Sequence, residues 1–165
     1  MDNERVTQNN FSHKTVFFLR HSDAENIISG QNDFQRELNS IGKQKVTNFT
    51  TNFSSEFQFD LVLCSTSVRT RQTLDLLDLK CIDFVFCDSL YLTEKERILS
   101  EIQQVSEKIN KLLVIGHNNG ISDLASYITK TGILLSTCQM VEIRLESPNW
   151  ELVEQGMGTI VRNFF

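Results

Sequence analysis

The stretch VFFLRHSDAEN, residues 16–26, decides how the rest of the chain is read. Four apolar residues, 16–19, run without interruption into Arg20 and His21. A strand that is apolar at every position has both faces buried, as in a parallel sheet covered by helices. Such a strand usually stops on a turn residue. This one stops on two side chains that bind anions, and further segments outward from it do the same.

A helix is predicted from about Ser40 to Asn52, with Ile41, Val46, Phe49 and Phe53 on its apolar side. FDLVLCS (59–65) reads as a second buried strand, and SVRTRQTLDLL (67–77) as a helix opening on a Ser-rich cap. IDFVFC (82–87) is a third strand. The spacing of Ile98, Ile102, Val105 and Ile109 predicts a helix over residues 94–110. KLLVIG (111–116) is a fourth strand and GISDLASYITK (120–130) a fourth helix. QMVEIRLE and NWELVEQ flank Ser147-Pro148 and predict an antiparallel pair. Strands alternating with helices predict an α/β fold. The form expected is a three-layer α/β/α sandwich, with a mostly parallel sheet of about six strands and a C-terminal antiparallel hairpin. Residues 1–13 read as a flexible polar tail and 14–165 as one domain.

The formal net charge of −5 and the lack of a long basic run argue against a nucleic-acid partner. No segment reaches the roughly 18 apolar residues of a membrane span, so no membrane partner is expected. Met1 to Asn10 contains no apolar run of signal-peptide length. Cys64, Cys81, Cys87 and Cys138 show no C-x-x-C spacing and read as small core residues in a reducing compartment. The expected location is the cytoplasm. A monomer is the default, with the oligomeric state left open.

In an open α/β sheet, ligands bind beyond the carboxyl ends of the strands, where the strand order reverses. The first predicted strand ends in Arg20-His21-Ser22. The second ends in Ser65, with Arg69 in the first turn of the next helix. The fourth ends in Gly116-His117-Asn118. Two histidines and two arginines therefore converge on one edge. Arginine offers a planar fork of donors that fits phosphoryl oxygens. A neutral imidazole can attack phosphorus, and nearby arginines keep it neutral by lowering its pKa. No G-x-S-x-G or C-x5-R pattern supplies a serine or cysteine nucleophile, and the edge lacks the carboxylates that would hold a metal. Neither metal nor cofactor is expected.

At these residues the chain resembles the histidine phosphatase (phosphoglycerate mutase-like) superfamily. Its members carry R-H-G on the first strand, S-x-x-x-R after the second, and a late G-H. Here these stand as Arg20-His21-Ser22, STSVRTRQT (65–73) and VIGHNNG (114–120). Size and spacing are most similar to the SixA-type phosphohistidine phosphatases. RELNSIGKQ (36–44) resembles their R-P-L-T-x-x-G segment, and DSLY (88–91) their short segment after the third strand. The resemblance implies that His21 is a transiently phosphorylated nucleophile and that Arg20, Arg69 and His117 hold the phosphoryl oxygens. Arg36 would reach the outer side of the phosphate, with Ser22 and Asn118 also placed at the substrate. Ser22 stands where glycine is usual, and Glu37 where proline is usual. No acid clearly matches the glutamate that larger members place after the third strand. Asp88, Glu94 and Glu96 lie in that region, and Glu94 is taken as the candidate general acid. The expected activity is removal of phosphate from phosphohistidine in phosphorelay-type proteins. Two alternatives remain open: a phosphatase of small phosphate monoesters, and a catalytically weak phosphoprotein-binding module.

Overall fold

The structure, a computed structural model, describes residues 13–53 and 57–165. Of the predicted tail, residues 1–12 lie outside the described residues. The apolar run that opened the reading is strand β1 (Thr15–Arg20), with its four central residues buried. On one side it pairs in parallel with β4 (Lys111–Gly116), from Thr15 opposite Lys111 to Arg20 opposite Gly116. On the other side it pairs antiparallel with β5 (Met140–Leu145). β2 (Gln58–Ser65) lies parallel between β4 and β3 (Lys80–Cys87), and β6 (Gly158–Phe164) is antiparallel to β5. The described residues thus form one six-stranded sheet in the order β3-β2-β4-β1-β5-β6.

The helices are α1 (Ser40–Phe53), α2 (Val68–Leu77), α3 (Lys95–Gln103) and α4 (Gly120–Thr129). α1 packs against α2, and α3 against α4. β1 shows why both faces had to be apolar. Val16 and Phe18 join the core formed with Ile98, Ile102, Ile121 and Leu124 of α3 and α4. Phe17 and Leu19 join the core formed with Val46 and Phe49 of α1. The predicted α/β/α layering is what the chain adopts.

Three details differ from the sequence reading. The helix predicted over 94–110 stops at Gln103. Beyond it the carbonyls of Glu107 and Ile109 are taken by side chains from elsewhere. Lys14 Nζ donates to the carbonyls of Glu107 and Ile109, and Trp150 Nε1 donates to that of Ile109 at 2.8 Å. Tertiary donors replace helical ones, and periodicity alone cannot show this. Secondly, the partner of β5 is Gly158–Phe164, not the NWELVEQ segment. Trp150–Leu152 is a 3₁₀ turn that plants Trp150 in the core. Thirdly, not every apolar residue is covered. Ile41 on α1 is exposed, and β3 is a sheet edge that leaves Phe84 and Val85 open to solvent.

Trp150 and Leu152 would share one face if that segment were a strand. In the structure Trp150 is fully buried whereas Leu152 is 55% exposed. Trp150→Ala should therefore lower the unfolding free energy by about 3–5 kcal/mol in urea titrations, while Leu152→Ala should change it by less than about 0.5 kcal/mol. Equal effects would restore the hairpin reading.

Candidate active site

Chain direction explains where the site forms. From β1 and β2 the chain moves toward β3 with α1 and α2 on one face. From β3 it returns across the sheet, and α3 and α4 cover the other face. The connections leaving the adjacent strands β1 and β4 therefore diverge, and a crevice opens at their carboxyl ends. His21 follows β1 and His117 follows β4. Their ring centroids lie 5.0 Å apart.

The loop after β1 is pinned from several directions. The Ser22 N–H donates to Thr73 Oγ1 of α2 at 3.1 Å, and Ser22 Oγ donates to the Gly42 carbonyl of α1 at 2.9 Å. Gly42 has no room for a side chain. A Cβ there would sit 2.0 Å from the Asp23 carbonyl oxygen. This close approach of the helix to the loop after β1 is the physical reason for a glycine at that point of the RELNSIG segment.

His21 is 8% exposed, and its Nδ1 lies 2.7 Å from the Ser22 carbonyl oxygen. A carbonyl only accepts, so Nδ1 carries the proton and Nε2 keeps its lone pair. Nε2 accepts from Arg69 Nε at 3.3 Å. Burial lowers the His21 pKa to about 4. The bond to Ser22 opposes that shift, and Arg69, Arg20 and Arg36 add to it. His117 is also buried, and burial together with His21 and Arg69 lowers its pKa to about 2. Its Nδ1 accepts from Arg69 Nη2 at 3.3 Å, so Nε2 is the protonated nitrogen and donates to Ser65 Oγ at 2.9 Å. Both imidazoles are neutral at pH 7.

Arg69 lies between them, only 1% exposed. Arg20 Nη1 donates to the Leu135 carbonyl at 3.1 Å. Among the described residues, Arg20 Nε is the one buried side-chain nitrogen or oxygen with no hydrogen-bond partner. The crevice thus combines an imidazole lone pair, a buried guanidinium and an uncommitted guanidinium donor, a set that fits a compact oxyanion.

The remaining predicted residues fall into different places. Arg36 stands at the edge of the cluster, with Nε 2.9 Å from Asp33 Oδ1 and Nη1 2.9 Å from the Glu25 carbonyl. Ser22 is not arranged as a substrate contact. Its side chain is fully buried and turned to α1, and its carbonyl instead orients His21. Asn118 is committed at both ends of its amide, to the Leu135 carbonyl and to Ser122 Oγ, and so braces the loop that holds Arg20. Glu94 is exposed at the cap of α3 and lines a polar cleft of about 440 Å³ with Asn118, Asn119 and Asp123. Glu96 pairs with Lys95, and Asp88 accepts from Thr66 Oγ1. Among the described residues, no group of three or more His, Cys, Asp or Glu is placed to hold a metal ion.

Sequence reasoning missed Asp33 and Tyr91. Asp33 opens a 3₁₀ turn after Asn32, which caps it by accepting the Phe34 N–H at 3.0 Å. Its carboxylate accepts from Arg69, Arg36 and Tyr91. The available signal was the three-residue interval between Asp33 and Arg36, which lets the two side chains meet.

No protein-family model matches the chain. An uncharacterised protein of Mycobacterium leprae (strain TN) is 26% identical over 83 residues, which is 50% of this chain and 51% of that protein. The chain's match thus spans about half the length of that relative. Solved structures align over nearly all of the chain. The candidate phosphohistidine phosphatase SixA of Nakamurella multipartitia has a TM-score of 0.82 at 20% identity, covering 93% of this chain and 96% of that one. The protein histidine phosphatase SixA complexed with tungstate has a TM-score of 0.74 at 21% identity, covering 91% and 96%. The chain has the phosphoglycerate mutase-like fold of the histidine phosphatases, in the compact form of the SixA structures.

The buried neutral state of His21 has a consequence for stability. Its folded-state pKa lies below the unfolded value of 6.5, so the unfolded chain binds the proton first as pH falls. Above pH 6.5 the group contributes no pH dependence. Between 6.5 and about 4 stability should decline, by an amount on the order of a few kcal/mol. Urea titrations at pH 7 and 4.5 measure the decline, and His21→Gln should reduce it. An undiminished decline in that variant would place the responsible group elsewhere.

Proposed function

We propose that the chain is a metal-independent phosphatase that passes the phosphoryl group through His21, with phosphohistidine in phosphorelay-type proteins as its substrate. The observation that carries this reading is the state of His21: Nδ1–H held by the Ser22 carbonyl and the Nε2 lone pair directed to the arginine cluster. The likeness to a protein histidine phosphatase SixA structure complexed with tungstate, a tetrahedral oxyanion, supports an oxyanion ligand for a fold of this kind.

In the first step Nε2 attacks phosphorus, and the bond from phosphorus to the leaving group breaks. The leaving nitrogen keeps the electron pair and takes its proton from water. In the second step water attacks the phosphorylated His21, the N–P bond breaks, and inorganic phosphate leaves with neutral imidazole restored. Arg20 and Arg69 carry the charge on the phosphoryl oxygens throughout. The leaving group separates the protein substrate from small alkyl esters. An alkoxide needs an enzymatic proton, an effect worth roughly 10²–10⁴-fold, whereas the imidazole of phosphohistidine departs without one. Glu94 is exposed, and no hydrogen bond joins it to the histidine pair.

Rapid mixing with phosphorus-labelled substrate should leave an acid-labile, alkali-stable label on the protein, and His21→Ala should abolish both label and turnover. An acid-stable label would name a different nucleophile. Arg20→Ala and Arg69→Ala should each lower kcat by roughly 10²–10³-fold, the loss seen when one donor to a developing anion is removed.

Phosphohistidine and activated aryl phosphates should be cleaved fast and serine phosphate slowly, with that order unchanged in Glu94→Gln. If Glu94→Gln lost alkyl phosphate hydrolysis alone, Glu94 would be a general acid and the small-ester reading would stand.

A further inference from the structure

Arg69 presents two edges of its guanidinium to two different sets of partners. The edge made by Nε and Nη2 faces the imidazoles, at 3.3 Å from His21 Nε2 and 3.3 Å from His117 Nδ1. The edge made by Nη1 and Nη2 faces Asp33, whose carbonyl oxygen accepts from Nη1 at 2.7 Å and whose Oδ2 accepts from Nη2 at 3.0 Å. The contacts to Asp33 are the shorter ones. We propose that Asp33 is a positioning residue for the phosphoryl clamp: it grips the outer edge of Arg69 with carbonyl and carboxylate together, so that the Nε/Nη2 edge is presented to the phosphoryl group between His21 and His117. The proposal rests on the phosphatase reading of this site and adds a residue to it.

Asp33 is itself held. Its Oδ2 accepts from the Tyr91 hydroxyl at 2.7 Å, and its Oδ1 accepts from Arg36 Nε at 2.9 Å. Burial pushes its carboxyl up, but the Tyr91 hydroxyl and the two arginines outweigh that and leave it below its ordinary value. Asp33 is therefore ionised at neutral pH and accepts hydrogen bonds only. The Tyr91 ring also lies 5.8 Å from the Arg69 guanidinium carbon and packs edge-on to His117 at 5.4 Å. Arg36 thus reaches the cluster through Asp33. The imidazole contacts at 3.3 Å are long for hydrogen bonds, and a phosphoryl oxygen can replace them without disturbing the Asp33 edge.

A rival reading of the same contacts treats Asp33 as a competitor that occupies Arg69 and must be displaced by the anion. The two readings give opposite signs. The test measures the dissociation constant of inorganic phosphate by calorimetry and kcat/KM for p-nitrophenyl phosphate. Both are taken on the full chain, on Asp33→Ala and Asp33→Asn, and on the same changes combined with Arg69→Ala. Asp33→Ala should weaken phosphate binding and lower kcat/KM by about 10²-fold, the scale of a misplaced catalytic group. Asp33→Asn keeps an acceptor oxygen and should recover part of the loss. In the Arg69→Ala background the Asp33 changes should alter either quantity by less than about twofold, because Asp33 acts through Arg69. Tyr91→Phe should shift both in the same direction by a smaller factor. A merely structural role would give additive losses in the two backgrounds, and tighter phosphate binding in Asp33→Ala would show the competitor. Either result overturns the proposal. If the unaltered chain binds phosphate without turning over the ester, the phosphatase reading fails, and the phosphate constants alone decide the role of Asp33. If it binds no phosphate, both fail.

Discussion

A guanidinium almost wholly removed from water is the constraint around which the crevice is built. Arg69 is 1% exposed, and a buried cation without partners costs several kcal/mol. Its surroundings are those such a charge demands. One carboxylate sits on one edge, and two imidazoles that cannot afford a charge of their own sit on the other. The neutrality of His21 and His117 follows from the burial and the arginines together. A histidine exposed at a strand end would be partly protonated near neutral pH and would then lack the lone pair that attacks phosphorus. The structural need to satisfy Arg69 and, on the proposed reading, the chemical need for a neutral nucleophile are met by one arrangement.

The sheet supplies the positions and the helices lock them. β1 and β4 pair residue for residue up to Arg20 and Gly116, and the His21 N–H donates to the Gly116 carbonyl, so the two histidines leave the sheet at the same level. α2 contributes Arg69 and also Thr73, whose hydroxyl donates to the Arg69 carbonyl and accepts from the Ser22 N–H. The loop that carries His21 is thereby tied to the helix that carries the buried cation. α1 adds the close approach at Gly42. A shift of any one of these elements moves His21 relative to Arg69, so the core on the α1/α2 face also fixes the geometry of the crevice.

The sequence disclosed most where side-chain demands are local. β1 and β4 were legible residue for residue, because short runs buried on both faces can only be apolar. Arg20, His21, Arg69 and His117 were legible as a group from their places at strand ends. What was not legible depends on partners distant in the chain. The end of α3 is set by Lys14 and Trp150, which lie 93 and 43 positions from Glu107. The true second strand of the terminal pair, Gly158–Phe164, alternates no more clearly than the segment wrongly chosen for it. Asp33 lies in a polar loop without periodicity, and a carboxylate is the last residue type to look for in an anion site. Its contacts with Arg69 can be read only once Arg69 is seen to have two edges to fill.

On the proposed reading, the balance of charges in the crevice also bears on which leaving groups can depart. A general acid must hold a proton at working pH, and so needs a raised pKa. Among the described residues, the carboxylate hydrogen-bonded to Arg69 is Asp33; burial pushes it up, but the Tyr91 hydroxyl and the two arginines outweigh that and hold it below its ordinary range. Tyr91 and the arginines together therefore strip this carboxyl of the proton it would have to donate. The two imidazoles are kept neutral by burial and by the arginines beside them. Glu94 stands exposed at the cap of α3, in the polar cleft it shares with Asn118. A site of this kind transfers phosphoryl groups well only when the leaving atom needs no help from the enzyme. The nitrogen of a phosphorylated histidine meets that condition, and the oxygen of an alkyl phosphate does not.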